Sequence, residues 1–265
     1  MISALVLAPV VLGLTWTGGA PFLGLLIIAG PLMALEWARL AAPGDGAAAD
    51  QLGLTVGIVG FLLALGTGDG GLGLALFLCA LGLTVSLALW RGTSATRPVV
   101  GFLYVGGAVA AFAWLRDAGD IGRITIFWLL GTVWATDIGG YFVGRTIGGP
   151  KMAPKLSPNK TVSGLAGGMA AAAIFSYAFM RLVDPMDRGA EVAWIAAALA
   201  ALVALISQAG DVFESALKRR AGVKDSGTII PGHGGILDRV DGLMFAATFI
   251  ALAVIFWHAM AGWLT

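Results

Sequence analysis

The chain has little charge and few of the residues that build disulfides or zinc sites. Only 12% of its 265 residues are charged and 58% are hydrophobic, whereas about 25% of a typical soluble domain is charged. Its single cysteine, Cys79, can form no intrachain disulfide, and no Cys/His cluster has the spacing of a zinc site. The net charge of +1 gives no general attraction to nucleic acid. A Gly-x-Ser-x-Gly motif, typical of serine hydrolases, is also missing.

Long apolar segments fill the chain instead. They cover about 2–17, 20–38, 51–67, 72–90, 98–115, 122–144, 161–183, 191–210 and 240–262. Such lengths suit the roughly 30 Å of hydrocarbon in a bilayer, and the 40 glycines also suit membrane helices. We therefore predict an all-α, polytopic transmembrane protein with about nine spans. A signal peptide before a soluble domain is disfavoured, because no charged segment precedes residue 2 and apolar runs continue to the C-terminus.

The distribution of lysine and arginine predicts the orientation. Loops after the even-numbered spans hold twelve of these residues and the other loops hold four, which places the even loops in the cytoplasm and the N-terminus outside. We divide the chain into an N-terminal transmembrane scaffold, 1–120, and a C-terminal transmembrane catalytic region, 121–265. The first five spans carry almost no polar groups apart from Glu36, which we expect to make a surface pair with Arg39 at i,i+3.

The first polar cluster, residues 136–145, lies near the cytoplasmic end of span six. A carboxylate at Asp137 needs a cation, a hydrogen-bond network or a water-filled cavity. Two interpretations stay open: an ion pair between Asp137 and Arg145, or a role for Asp137 in an active site. Gly140 and Gly144 form a small-xxx-small pair that permits close helix packing.

The second cluster, residues 149–164, combines lysines, hydroxyl groups and prolines just before span seven. Thr161 and Ser163 are suited to cap the helix that follows. A helix N-terminus beside Lys155 and Lys160 would favour an anion. The alternative is that these lysines simply flank a membrane span.

The third cluster surrounds the loop between the last two spans. Asp238 and Asp241 lie at i,i+3 and share one helix face. With Asp211 from the preceding helix, they suit a hard cation such as Mg²⁺, which typically takes one or two carboxylates plus substrate phosphates. The alternative for Asp238 and Asp241 is to cap the helix and complement its dipole.

One continuous pattern runs from Ser215 to Asp241: Ser-x-apolar-Lys-Arg-x4-Lys-Asp-x-small-x2-apolar-Pro-x-His-Gly-Gly-apolar-x-Asp-Arg-apolar-Asp. This pattern resembles the C-terminal motif of phosphatidate cytidylyltransferases, also called CDP-diacylglycerol synthases, and every defined position is filled. The segment Ser157-Pro158-x-Lys160-Thr161 is similar to a second motif of that family. Asn159 and Ser163 depart from it, since Lys and Glu are expected there.

The resemblance implies an enzyme in a bacterial-type inner (plasma) membrane that makes CDP-diacylglycerol and pyrophosphate from CTP and phosphatidate. Its active site would face the cytoplasm, with Mg²⁺ as cofactor and membrane lipids, but no nucleic acid, as partners; a homodimer is left open. The expected catalytic residues are Asp211, Asp238, Asp241, Lys160 and Arg239, of which the three aspartates would bind the metal. The expected substrate-binding residues are Asp137, Arg145, Lys155, Ser157, Thr161, Ser215, Lys218, Arg219, Lys224, Asp225, His233, Gly234 and Gly235. For His233, substrate binding, loop structure and proton transfer all stay open.

Two other functions are considered. A CTP-dependent polyprenol kinase would transfer the γ-phosphoryl group and release CDP. An ion-coupled transporter is disfavoured, because transporters place polar sites near the membrane midplane in related repeats, whereas the polar clusters of this chain gather on one side and no repeat is visible.

Overall fold

The computed structural model describes residues 2–41, 47–183, 189–230, 232 and 234–263. The helices in this part of the chain are α1 (Ile2–Thr17), α2 (Gly19–Ala41), α3 (Ala47–Gly66), α4 (Gly70–Trp90), α5 (Thr96–Asp117), α6 (Gly119–Ile147), α7 (Val162–Val183), α8 (Ala190–Arg220) and α9 (Leu237–Trp263). Two antiparallel strands, β1 (Lys151–Ala153) and β2 (Ser157–Thr161), form a short hairpin between α6 and α7.

The helices agree with the apolar segments of the sequence. Among the described residues, eight helices, α2 to α9, are long and apolar enough to cross a membrane. Helix α1 has 16 residues and is a shorter apolar helix. An α-helix satisfies all its backbone hydrogen bonds within one segment, which is why apolar spans adopt it. The predicted polytopic helical fold is confirmed, with eight candidate spans rather than nine.

Two local features differ from the sequence-based expectation. The β1–β2 hairpin was not expected in an all-α chain. Helix α8 was expected to end near residue 210 but continues to Arg220. It ends in a Schellman motif, in which the N–H of Val223 donates to the carbonyl of Lys218 at 3.0 Å and that of Gly222 to Arg219 at 3.2 Å. Gly222 has φ +71°, a conformation that favours glycine.

The described residues divide into two compact units. The first unit holds α1 to α5 and the segment Leu217–Val240, which carries most of the motif between the last two spans. The second unit holds α6, the hairpin, α7, α8 as far as Ala216, and α9 from Asp241 onward.

The core of the first unit is built from aromatic and aliphatic side chains of α2, α3 and α5. Trp37, Leu54 and Phe102 are almost fully buried, and the ring of Trp37 packs edge-on against Tyr104 at 5.9 Å. Near the C-terminus of α5, the guanidinium of Arg116 donates to the carbonyl oxygens of Thr15 at 2.7 Å and Trp16 at 2.9 Å. These carbonyls end α1 and have no partner within that helix, so Arg116 fastens α1 to α5.

In the second unit, α6 and α7 approach each other through glycines. A Cβ atom at Gly164 would lie 2.9 Å from the carbonyl oxygen of Gly140 and 3.3 Å from the Cα of Gly144. At Gly168 it would lie 2.8 Å from the carbonyl oxygen of Thr136. The close packing predicted from Gly140 and Gly144 is thus confirmed, and it fixes the polar end of α6 against the start of α7.

Candidate active site

A polar cavity of about 210 Å³ lies within the second unit, where α6, α7, α8 and the hairpin meet. We call it the carboxylate pocket. Its polar lining residues are Thr136, Asp137, Tyr141, Asn159, Lys160, Thr161, Gln208 and Asp211. The pocket therefore brings together residues from all three polar clusters of the sequence.

The hairpin delivers Lys160 and the start of α7 to this pocket. Strand β2 ends at Thr161, whose hydroxyl oxygen accepts from the N–H of Gly164 at 3.0 Å. This bond caps α7, as predicted for Thr161. The hydroxyl of Ser163, the other predicted cap, instead donates to the carbonyl of Gly148. Because the cap fixes the end of β2, the neighbouring Lys160 side chain is held at the pocket, while Lys155 is exposed.

A lysine and three acidic side chains lie close together in this part of the unit. The ammonium group of Lys160 pairs with Oδ2 of Asp211. The carboxyl groups of Asp211 and Asp241 lie within hydrogen-bonding distance of each other, and Glu214 lies close enough to act on Asp241 electrostatically. Oδ1 of Asp241 also accepts from the N–H of Gly242 at 2.8 Å. Acids from two helices, α8 and α9, therefore lie side by side at this point of the second unit.

Asp137 faces the pocket without the ion pair considered from sequence. Its Oδ1 accepts from Nε2 of Gln208 at 3.4 Å. Arg145 instead donates to the hydroxyl of Tyr141 at 2.7 Å, and its guanidinium lies 5.9 Å from the centre of that ring. The alternative Asp137–Arg145 pair is therefore wrong, and a role for Asp137 in an active site stays a prediction.

In the first unit, Asp238 fastens the loop between α8 and α9. We call this segment, 221–236, the motif loop. Oδ2 of Asp238 accepts from the N–H groups of Ser226 and Gly235, both at 2.8 Å, and from the Ser226 hydroxyl at 3.0 Å. Oδ1 accepts from Nζ of Lys218 at 2.7 Å. These contacts join Asp238 to the motif loop and to Lys218 rather than to N–H groups of α9, and its predicted role as a metal ligand stays a prediction.

Sequence reasoning missed the second acid that fastens the motif loop. Glu36 is fully buried and accepts from the N–H groups of Ile236 at 2.9 Å and Leu237 at 2.8 Å, and from the Ser226 hydroxyl at 3.1 Å. The expected surface pair with Arg39 is therefore wrong. A lone carboxylate in an apolar span was the available signal, but its partners lie 190 to 201 residues further along the chain.

The other predicted site residues are placed as follows. Four of them are exposed charged residues of the first unit: Arg219, Lys224, Asp225 and Arg239. The same unit holds Gly234 and the buried Gly235. The second unit holds Ser157 and Ser215, which are both partly buried. Within the motif loop, the N–H of Ile230 donates to the carbonyl of Gly234 at 2.9 Å. His233 lies outside the described residues.

In the parts of the chain that the structure describes, no group of three or more His, Cys, Asp or Glu side chains is arranged to hold a metal ion. Asp211 and Asp241 together still match the one or two carboxylates that Mg²⁺ typically takes when substrate phosphates supply further ligands.

Comparison with known proteins shows the family of the chain. The cytidylyltransferase family model matches residues 1–257. The chain is 41% identical over 253 residues to the phosphatidate cytidylyltransferase of Brucella suis biovar 1 (strain 1330), which covers 95% of this chain and 91% of that protein. It is also 41% identical over 157 residues to the Bacillus subtilis (strain 168) protein of the same name, covering 57% of this chain and 56% of that one. A third relative, from Staphylococcus aureus (strain COL), is 38% identical over 152 residues, covering 57% of this chain and 56% of that protein.

Proposed function

Because this chain belongs to the cytidylyltransferase family, we propose that it is an integral membrane phosphatidate cytidylyltransferase. It makes CDP-diacylglycerol and pyrophosphate from CTP and phosphatidate. The observation that carries this proposal is the carboxylate pocket, where Lys160, Asp137 and Asp211 meet beside the N-terminus of α7.

The pocket suits a reaction at phosphorus. An oxygen of the phosphatidate phosphate attacks the α-phosphorus of CTP, the bond from that phosphorus to the bridging oxygen breaks, and pyrophosphate leaves. Such transfers depend mostly on positioning and on neutralising charge. Lys160 supplies a positive charge at the pocket, and the N-terminus of α7 presents backbone N–H groups that favour an anion. A phosphate nucleophile is largely ionised near pH 7, since its second pKa is about 6, so no general base is required.

Basic side chains of the first unit are proposed to bind phosphate groups in their own right. Lys224, Arg219 and Arg239 are exposed, and an arginine can bind a phosphate through two parallel hydrogen bonds. The acyl chains of phosphatidate would stay in the bilayer. By the distribution of lysine and arginine, the polar loops face the cytoplasm and the N-terminus lies outside. A homodimer stays a prediction.

We propose Mg²⁺ as the cofactor, held in the second unit by Asp211 and Asp241. Their carboxylate oxygens are the ligands that Mg²⁺ prefers, and the two carboxyl groups lie within hydrogen-bonding distance of each other. When bound, the ion would neutralise negative charge on the phosphates of CTP. The ligand role of Asp238 stays a prediction: its Oδ2 is occupied by N–H and O–H donors, and its Oδ1 contacts Lys218.

The test is a reconstituted reaction with defined products. Purified protein in detergent is incubated with CTP, phosphatidate and Mg²⁺, and the lipid phase and released phosphates are analysed by mass spectrometry and a pyrophosphate assay. We expect CDP-diacylglycerol and pyrophosphate in equal amounts, and neither product with the Asp211→Asn variant. Formation of CDP together with a phosphorylated polyprenol, when polyprenol replaces phosphatidate, would identify a lipid kinase instead.

A further inference from the structure

Glu36 is a buried acid whose hydrogen bonds with the described residues go to the motif loop and the start of α9. It lies in α2 within the first unit and is fully buried. One carboxylate there accepts from two backbone N–H groups, those of Ile236 and Leu237, and from the hydroxyl of Ser226. The N–H of Leu237 begins α9 and has no partner within that helix, so Glu36 supplies an acceptor that the helix start lacks.

The motif loop is built around this carboxylate. A Cβ atom at Gly227 would lie 2.7 Å from Oε1 of Glu36, with Cδ and Cγ of the same side chain its next neighbours at 3.1 and 3.2 Å. A Cβ at Gly235 would lie 2.6 Å from both carboxylate oxygens of Glu36. Real Cβ atoms do not approach oxygen so closely, because the atoms would overlap. Glycine at these two positions therefore leaves the space that Glu36 occupies.

Ser226 connects Glu36 to the other acid that fastens the loop. Its hydroxyl oxygen lies 3.1 Å from Oε2 of Glu36 and 3.0 Å from Oδ2 of Asp238. A serine hydroxyl has one proton to donate, so it donates to only one of these carboxylates at a time. Glu36, Ser226 and Asp238 thus form one network, and Lys218 completes it through its 2.7 Å contact with Asp238.

We propose that Glu36 is a positioning residue for nucleotidyl transfer, acting through the motif loop. This inference rests on the proposed function, because the loop carries Lys224, Asp225 and Gly234, which are expected to bind substrate. By holding Ser226 and the start of α9, Glu36 keeps the loop in one conformation. Without it, two backbone N–H groups lose their acceptor and the loop samples conformations that do not present these residues correctly.

The role differs from general support of the fold. Helix α2 is held in the first unit by its apolar side chains, among which Phe22, Met33 and Trp37 are almost fully buried. Those contacts do not involve the Glu36 carboxylate. Replacing the carboxylate with an isosteric amide should therefore leave α2 in place and alter the loop.

The first experiment compares Glu36→Gln with wild type in the phosphatidate assay. Glutamine keeps the shape but has one acceptor oxygen, and its NH₂ group faces an N–H or O–H donor. We expect kcat to fall at least about tenfold, as for loss of hydrogen bonds to a buried charged group, with a thermal unfolding temperature close to wild type. Glu191→Gln, an exposed glutamate at the start of α8, is the matched control and should keep wild-type kcat.

The second experiment tests the contact itself. Gly227→Ala should lower kcat in the wild-type background, because the new methyl group meets Glu36 alone among its nearest atoms. In a Glu36→Ala background the same substitution should cause no further loss. Gly24→Ala, in α2 with no atom within 4 Å of the added Cβ, should be neutral in both backgrounds.

The outcomes separate this inference from the proposed function. If wild-type protein makes no CDP-diacylglycerol, the proposed function fails, whatever the variants do. If wild type is active and Glu36→Gln keeps its kcat, Glu36 is not a positioning residue. The inference is equally overturned if Gly227→Ala reduces kcat by the same factor with and without the Glu36 carboxylate, or if Glu36→Gln only lowers the unfolding temperature.

Discussion

Replacing Lys160 with methionine removes one positive charge from the carboxylate pocket and keeps most of the side-chain length. The ammonium group pairs with Asp211, and the two side chains are 22% and 24% exposed. At about 4 Å and an effective dielectric constant near 20, an ion pair contributes about 4 kcal/mol before desolvation is subtracted. Because both side chains retain some solvent contact, we expect a net effect close to that of a hydrogen bond between charged groups, about 1.5–3 kcal/mol.

A contact of the same size between Lys160 and a phosphate of CTP in the transition state would correspond to roughly 10- to 150-fold in kcat/KM. The direction follows from charge: without Lys160, the charged side chains that line the described pocket are the carboxylates Asp137 and Asp211, which repel the triphosphate of CTP. The assay is steady-state synthesis of CDP-diacylglycerol at varied CTP concentration. Lys151→Met is the matched control, since Lys151 is an exposed lysine in β1 of the same hairpin and should leave kcat/KM near wild type. Equal kinetics for both variants would show that Lys160 only flanks a membrane span.

Three further predictions concern the metal site, the helix packing and the topology. Asp211→Asn and Asp241→Asn should each abolish turnover. A double variant should lose no more kcat/KM than either single variant, because the effects of groups that act as a unit are not additive. Independent, multiplying losses in kcat/KM would contradict a shared site. Gly164→Ala should destabilise the protein by about 1–3 kcal/mol, seen as a lower unfolding temperature in detergent, since the methyl group would meet a backbone oxygen; an unchanged temperature would refute the close packing. Asn159→Cys in a Cys79→Ala background should react with an impermeant thiol reagent only from the cytoplasmic side; labelling from outside would reverse the proposed orientation.

Several features of the fold could be predicted from local sequence because their causes are local. A long apolar segment predicts a membrane-spanning helix, because in lipid the backbone N–H and C=O groups must be hydrogen-bonded within the segment. The spacing of Gly140 and Gly144 predicts a close helix contact, although not that Gly164 is the partner. Thr161 could be recognised as a cap because the capping bond reaches only three residues ahead.

Three features could not be predicted: the partners of Glu36, the end of α8 and the β1–β2 hairpin. The first depends on residues far away in sequence, and the other two leave only a weak local pattern. Glu36 contacts residues 190 to 201 positions further on, and no spacing rule connects them. The last turns of α8 are polar, so the end of the apolar run at residue 210 concealed a helix that continues to Arg220. Strands β1 and β2 have only three and five residues, too few for alternation to be distinguished from a loop.

For the candidate site, the sequence indicated which types of residue are present but not which of them contact each other. Lysines and aspartates near the ends of the last spans that are predicted to be cytoplasmic indicate phosphate and cation chemistry from composition alone. Which acid meets which base depends on tertiary packing. Lys160 pairs with Asp211 and Lys218 with Asp238, and neither pair could be assigned from spacing along the chain.

The fate of two labels in CTP tests the central claim most directly. Purified protein is incubated with phosphatidate, Mg²⁺ and CTP that carries ³²P at either the α- or the γ-position, and the lipid is extracted and counted. Cytidylyl transfer predicts that α-label enters the lipid while γ-label stays in the aqueous phase as pyrophosphate. Transfer of γ-label to the lipid, with α-label left in soluble CDP, would contradict the account.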